Sequence, residues 1–381
     1  MSYVWQQAQW PKLSWRTEPL LPLISRARLA QGTFLTQVAS LGLKLGQEAR
    51  AEILIEEAVQ TSAIEGERLN RESVRSSVAR RLGLSTAGLP PATRAVDGLV
   101  DVLLEATQRY DAPLTAARLK RWQAALFPTG YSGLTRIRVG QWRGAQPMQV
   151  VSGAVGRATV YFEAPPRERV EREMRQFLAW WKTRTNHEEG LLRAGLAHFY
   201  FVTIHPFEDG NGRIARVLTE MALAQDEQLS TRYYSLSSQI MRERDDYYDA
   251  LEACQKGRGD VTEWLMWFLG CHLRAVEGAG ALIADVLAKA EFWQRHGHQE
   301  LNARQRKVVN RLLDAGKRGF QGGLTTRKYV SLAKVSRVTA YREITELVQR
   351  GLLRHNPAKG RSVSYDLTWR SAGMGERSHG T

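Results

Sequence analysis

The chain has 381 residues, is 43% hydrophobic, and carries a formal charge of +15 at pH 7. That length fits two or three domains around a sizeable core. No run of 18 apolar residues occurs, and the N-terminus lacks the basic and apolar regions of a signal peptide, so neither a membrane span nor a secretory leader is expected. The two cysteines, Cys254 and Cys271, show no metal or redox spacing and read as buried reduced thiols of a cytoplasmic protein.

In chain order, Trp5, Trp10 and Trp15 recur every five residues. Packing against the core is the plain reading of these rings, with an aromatic docking patch as the alternative. Residues 47–65 predict a helix with Ala51, Leu54, Ile55, Ala58 and Ser62 on one small-residue face and Gly66 as its C-terminal stop. Residues 148–164 predict a hairpin: a β-branched run, a Gly-rich turn near Ser152–Gly156, and a second run over Thr159–Phe162. Pro165 and Pro166 close it before a helix from about Arg167 to Thr183. Residues 192–204 are apolar nearly all round, as in a central buried helix.

The most informative stretch follows: His205-Pro206-Phe207-Glu208-Asp209-Gly210-Asn211-Gly212-Arg213-Ile214-Ala215-Arg216. Ile214, Val217, Leu218, Met221 and Ala222 then recur at helical spacing, so the stretch is a loop opening an amphipathic helix. Gly210 and Gly212 permit backbone angles that turn consecutive N–H groups around an anion, at a helix N-terminus that favours phosphate. Arg213 and Arg216 are three apart, on one helix face, and can clamp the same anion. Asp209 is placed to share Mg²⁺ with phosphate oxygens, and His205 to take a proton from a hydroxyl. Pro206 ends the preceding helix and Phe207 plugs the loop into the core. No P-loop pattern is present, so this is a phosphate-transfer site of another kind.

These twelve residues resemble the motif of the Fic (filamentation-induced-by-cAMP) family, His-Pro-Phe-x-Asp/Glu-Gly-Asn-Gly-Arg-x-x-Arg, at every position. The resemblance implies a mostly helical core and transfer of AMP from ATP and Mg²⁺ to a Ser, Thr or Tyr hydroxyl of a protein, releasing pyrophosphate. It implies His205 as base, Asp209 as metal ligand, Gly210, Asn211 and Gly212 as phosphate cradle, Arg213 as clamp, and Arg216 as holder of the γ-phosphate. Thr61-Ser62-Ala63-Ile64-Glu65-Gly66 is similar to the family's inhibitory signature, [Ser/Thr]-x-x-x-Glu-[Gly/Asn]. By that likeness Glu65 pairs with Arg216 in place of the γ-phosphate, and in some relatives the same glutamate supports AMP removal.

The 148–164 hairpin is then expected as a flap that binds target backbone by strand addition, with a purely structural hairpin as the alternative. Tyr247–Leu251, Gln255, Asp260 and Trp264 resemble the segment closing the family's nucleotide pocket. Tyr248 is expected to stack on the base and Gln255 to bond its edge, although tyrosines at this spacing also suit an ordinary core.

Residues 301–381 hold 17 Lys and Arg against 5 Asp and Glu, a net +12 that leaves +3 for the first 300 residues. Their pattern runs through a helix over 301–315, a Gly-containing loop over 316–323, a short helix over 325–334, a helix from the N-cap Ser336 to Arg350, a stop at Gly351, and strands over 352–355 and 362–367. This resembles a winged helix-turn-helix domain. Arg337, Thr339, Tyr341, Arg342 and Thr345 are expected on the exposed side of the recognition helix, and Arg354, Lys359 and Arg361 along the wing.

The sequence reading is thus a mainly α protein: an N-terminal helical region (1–92) containing the inhibitory helix, a Fic-type core with a hairpin flap (93–285), a winged-helix domain (295–370) and a flexible tail (371–381). The expected function is protein AMP transfer, including to itself, held off by Glu65. The alternatives are AMP removal using Glu65, and a DNA-binding regulator whose core senses nucleotide. Expected partners are a target protein at the flap and DNA at the C-terminal domain, with a protein contact there as the alternative, a homodimer left open and no membrane.

Overall fold

The buried helix expected over 192–204 is the axis of the larger part of the molecule. The structure is a computed structural model describing residues 2–39, 43–152, 159–184, 189–315, 320–356 and 363–368. It is mainly helical and divides into two units, Met1–Gly280 and Ala281–Thr381. In the first unit, α7 (Gly190–Ile204) buries every residue from Leu191 onward, as its uniformly apolar composition requires. It packs along α8 (Asn211–Glu227), whose residues 213–224 are all buried. The motif loop is the short connection between these two helices.

Around this pair stand α2 (Leu43–Ile64), α3 (Arg71–Arg81), α4 (Arg94–Gln108) and α5 (Ala116–Leu126). Both α2 and α4 pack on α8. Thr93 and Thr115 cap α4 and α5 by accepting hydrogen bonds from Val96 N and Arg118 N. The two helices approach so closely that a Cβ on Gly98 would lie 1.9 Å from the Ala125 carbonyl oxygen. α1 (Leu21–Ala39), α6 (Arg167–Arg184), α9 (Leu236–Arg242), α10 (Arg244–Gln255) and the first half of α11 (Thr262–His296) complete the unit.

α2 starts four residues earlier than the sequence pattern predicts, and its buried face is broader. Ala51, Ile55, Ala58 and Ser62 are buried as expected, whereas Leu54 is half-exposed and Ile53 and Glu57 are buried instead. The Glu57 carboxylate is tolerated inside because the Ser235 hydroxyl (2.7 Å), the Ser237 N–H (3.1 Å) and the Ser237 hydroxyl donate to it from the start of α9.

The predicted flap hairpin comprises β3 (Gln149–Ser152) and β4 (Thr159–Glu163), antiparallel with a register shift at Val150/Val151. Most of its turn, expected near Ser152–Gly156, lies outside the described residues. Of the three N-terminal tryptophans, Trp5 and Trp10 pack inward. The Trp5 indole donates to the Glu163 carbonyl (2.7 Å) and packs on Phe162 and Ala164, and Trp10 donates to Glu173 (2.8 Å). A second small hairpin, β1 (Tyr131–Ser132) with β2 (Thr135–Arg136), has no counterpart in the sequence reading.

In the second unit, α12 (Ala303–Leu313), α13 (Thr326–Ala333) and α14 (Arg337–Gln349) precede the antiparallel pair β5 (Leu353–His355) and β6 (Tyr365–Leu367). Their core includes Val308, Leu312, Tyr329, Ala340, Ile344, Leu347 and Leu367. Asn302 and Gln305 form a capping box on α12, and Ser336 caps α14. Arg337, Tyr341, Arg342 and Arg354 are exposed, while Thr339 and Thr345 are half-buried. Lys359 and Arg361, most of the predicted turn between the strands, and the 371–381 tail lie outside the described residues. No described helix is long and apolar enough to cross a membrane.

Candidate active site

α7 ends at His205, which adopts the left-handed conformation (φ 50°) that glycine usually supplies. Such a backbone persists only where its surroundings hold it. Here the His205 N–H donates to the Phe201 carbonyl (3.0 Å), and the His205 carbonyl accepts from Arg143 Nε (2.8 Å). The imidazole Nδ1 lies 3.0 Å from the Val202 carbonyl oxygen, which can only accept. Nδ1 therefore carries the proton, and Nε2 keeps a free lone pair. Burial lowers the His205 pKa below its ordinary 6.5 and the Arg143 charge acts in the same direction, outweighing the Val202 carbonyl, Glu65 and Asp209. The ring is neutral at pH 7, the form a general base requires.

The loop is closed by the Asn211 side chain. Its Oδ1 accepts from Phe207 N (2.9 Å) and its Nδ2 donates to Phe207 O (2.8 Å). The Asn211 amide is thus committed to the loop itself. The first intrahelical bond of α8 runs from Ile214 N to Gly210 O (2.9 Å). The N–H groups of Asn211, Gly212 and Arg213 have no acceptor among the described residues and form a positive helix N-terminus. Gly210, at φ 87°, makes the turn into the helix.

Both motif arginines meet the end of α2. Arg216 is buried, donating from Nε to Thr61 Oγ1 (2.7 Å) and from Nη2 to Thr61 O (2.8 Å) and Glu65 Oε1 (2.7 Å). Among the described residues its buried Nη1 meets no hydrogen-bond acceptor at full geometry, although the Tyr247 hydroxyl lies near the guanidinium. Glu65 follows the last turn of α2, and Gly66 (φ 84°) turns the chain away. Burial works against the Glu65 carboxylate, but Arg216 foremost, with Arg213 and His205, holds its pKa below the ordinary 4.5. Gly212 permits this approach, because a Cβ there would lie 2.1 Å from Glu65 Oε1. Arg213 lies over the Phe127 ring (4.8 Å) and pairs with Glu67 (3.1 Å).

Asp209 accepts from the Ser132 hydroxyl and from Gly210 N. Among the described residues no group of three His, Cys, Asp or Glu could hold a metal. A cation at Asp209 would take its other ligands from phosphates and water. Tyr248 sits close to the α2 terminus, its hydroxyl 3.5 Å from Ile64 O and its ring under Arg244. Gln255 is buried, its amide nitrogen 3.3 Å from the Thr203 hydroxyl, so its side chain lies in the core between α7 and α10.

The sequence reading did not single out several groups that shape the site. Arg143 N also donates to Pro206 O (2.9 Å), and Glu208 accepts from the backbone N–H groups of Arg138 (2.8 Å) and Gly144 (3.1 Å). Beside Arg216, buried Tyr247 donates to His198 Nε2 (2.9 Å), and His198 Nδ1 donates to Thr219 Oγ1 (3.0 Å). Burial holds the His198 pKa at about 3, so this relay places no second cation next to Arg216.

Residues 113–223 match the model of the Fic/DOC family, so the chain carries a Fic/DOC-family domain. Residues 3–84 match a domain of unknown function, DUF4172. The chain is 30% identical over 116 residues to a protein adenylyltransferase Fic of Nematostella vectensis. That stretch covers 30% of this chain and 25% of the relative, so the chain spans about a quarter of that protein's length. Among solved structures it is similar to a Fic family protein from Desulfovibrio desulfuricans, with TM-score 0.55 and 21% identity over 97% of this chain and 100% of that one. A Fic domain containing signaling protein from Bacteroides thetaiotaomicron gives 0.52 and 17% over 67% and 95%. At these identities the likeness concerns the fold.

The electrostatics predict that His205 titrates in ¹⁵N-resolved NMR with a midpoint below 6.5 and shows the Nδ1–H tautomer at pH 7. A midpoint at or above 6.5 would contradict the burial argument. Glu65, with its depressed pKa, contributes its ion-pair stabilisation above the ordinary carboxylate range and loses it only as pH falls through the lowered value.

Proposed function

We propose that the Fic/DOC core is a protein adenylyltransferase that moves AMP from ATP to a protein Ser, Thr or Tyr hydroxyl, including its own, and that Glu65 holds it in a low-activity state. The observation that carries this reading is the junction of α7 and α8. Among the described residues, a neutral imidazole with an unpartnered Nε2 stands at the same junction as three N–H groups without acceptors and a buried guanidinium with one nitrogen left unbonded. These groups suit a triphosphate: the N–H groups for bridging phosphate oxygens, and Arg213 and Arg216 for the outer charge.

In the reaction the acceptor oxygen bonds to the α-phosphorus, the bond to the β-phosphate oxygen breaks, and pyrophosphate leaves. The hydroxyl proton passes to His205 Nε2. Mg²⁺, when bound, neutralises phosphate charge, and Asp209 is the residue that would hold it. Glu65 occupies Arg216, so the outermost phosphate lacks its anchor and the α-phosphate is not aligned for in-line attack. The β3–β4 hairpin is the proposed flap, which would bind target backbone by strand addition.

Transfer of label from ATP tests this directly. Label from the α position is expected on protein, strong in Glu65→Gly, weak in wild type and absent in His205→Ala. Label from the γ position would mean a kinase-like reaction. Loss of pre-attached AMP in wild type but not in Glu65→Ala would favour AMP removal.

For the second unit we propose a winged-helix module that binds DNA, supported by the +12 charge of residues 301–381 and the exposed Arg337, Tyr341 and Arg342 on α14. Duplex affinity of the full chain is expected to fall steeply with salt, and Arg342→Ala to reduce the log–log slope by about 1. Absence of binding at low salt would make this unit a protein-docking module.

A further inference from the structure

We infer that Ser132 is a positioning residue for the divalent cation, acting through Asp209. This rests on the proposed role of Asp209 as metal ligand. The Ser132 hydroxyl donates to Asp209 Oδ2, while Gly210 N donates to Oδ1. With both oxygens tied, the carboxylate plane cannot rotate, yet each oxygen retains a lone pair. The Asp209 side chain is 39% exposed, so those lone pairs are open to a cation.

The Ser132 hydroxyl is itself held in place. It sits on the two-residue strand β1, paired with Thr135 of β2 across a turn in which Gly133 has φ 55°. The root of this hairpin is fixed by Ile137 N to Gly130 O (3.0 Å) and Gly130 N to Phe127 O (3.0 Å). Phe127 in turn lies under Arg213, and a Cβ on Gly210 would meet its ring at 2.9 Å. Arg138 N, one residue after Ile137, holds Glu208. One short segment therefore meets the motif at Glu208, Asp209, Gly210 and Arg213, and Ser132 is its contact with the carboxylate. A hydrogen bond of this kind fixes the orientation of a ligating carboxylate and commonly governs metal affinity by about 10–100-fold.

The test uses the full-length chain carrying Glu65→Gly and follows the polarisation of a fluorescent ATP analogue as Mg²⁺ is titrated in from EDTA. Ser132→Ala is expected to raise the Mg²⁺ concentration giving half of the metal-dependent gain in affinity by about tenfold, with affinity in EDTA unchanged. Ser132→Thr, which keeps the hydroxyl, is expected to titrate like the parent, and Asp209→Ala to lose the Mg²⁺-dependent gain. If Ser132→Ala titrates like the parent, or loses affinity equally with and without metal, Ser132 does not act on the cation and the inference is overturned. If Asp209→Ala keeps the gain, the metal role of Asp209 is itself wrong and the inference falls with it. Adenylyl transfer can stand in the first case, so the two failures are separable.

Discussion

A guanidinium buried beneath a helix N-terminus must be matched by an anion or by well-placed acceptors. Taking such an ion out of water costs several kcal/mol even after the protein relaxes. Arg216 is in that position, and the surrounding structure is arranged to satisfy it. Thr61 supplies a hydroxyl and a carbonyl, Glu65 supplies charge, and Tyr247 is kept neutral beside it chiefly by burial. The remaining Nη1 has no well-formed hydrogen bond among the described residues. A phosphate oxygen could complete the set, and it would have to compete with the carboxylate already there.

This requirement links elements far apart in sequence. α2 must end beside the start of α8, which Gly66 and Gly212 allow by turning the chain and by leaving out a side chain where Glu65 lies. On the other side, the segment from Phe127 to Gly144 supports the loop through Ser132, Arg138, Arg143 and Gly144. His205 keeps its left-handed backbone because Arg143 and α7 hold it from both directions. These protein contacts fix the loop geometry, the kind of preorganisation that electrostatic catalysis uses.

The motif side chains were legible because twelve contiguous residues combine a turn, a helix start and charges at fixed spacing. Thr61 and Glu65 stood out through their likeness to the family's inhibitory signature, at the end of a helix that stops at Ile64. Arg143 and Ser132 were not, because they reach the loop across 62 and 77 residues and one acts on backbone oxygens. The β1–β2 hairpin has two-residue strands, too short to display a period of two. Glu57 was missed as a buried residue because carboxylates rarely lie inside, and its serine partners on α9 are 178 and 180 positions away. Gln255 was expected at the edge of a nucleobase, and its amide nitrogen lies 3.3 Å from the Thr203 hydroxyl, a neighbour that sequence spacing does not reveal.

The most direct test of competition at Arg216 is calorimetric affinity for ATP and ADP, with Mg²⁺, in wild type and in Glu65→Gly. If the carboxylate holds the place of the outermost phosphate, wild type binds ATP and ADP about equally. Glu65→Gly then prefers ATP by roughly tenfold or more, the worth of one charge-assisted hydrogen bond. An ATP-to-ADP preference that is the same in both proteins would contradict the account.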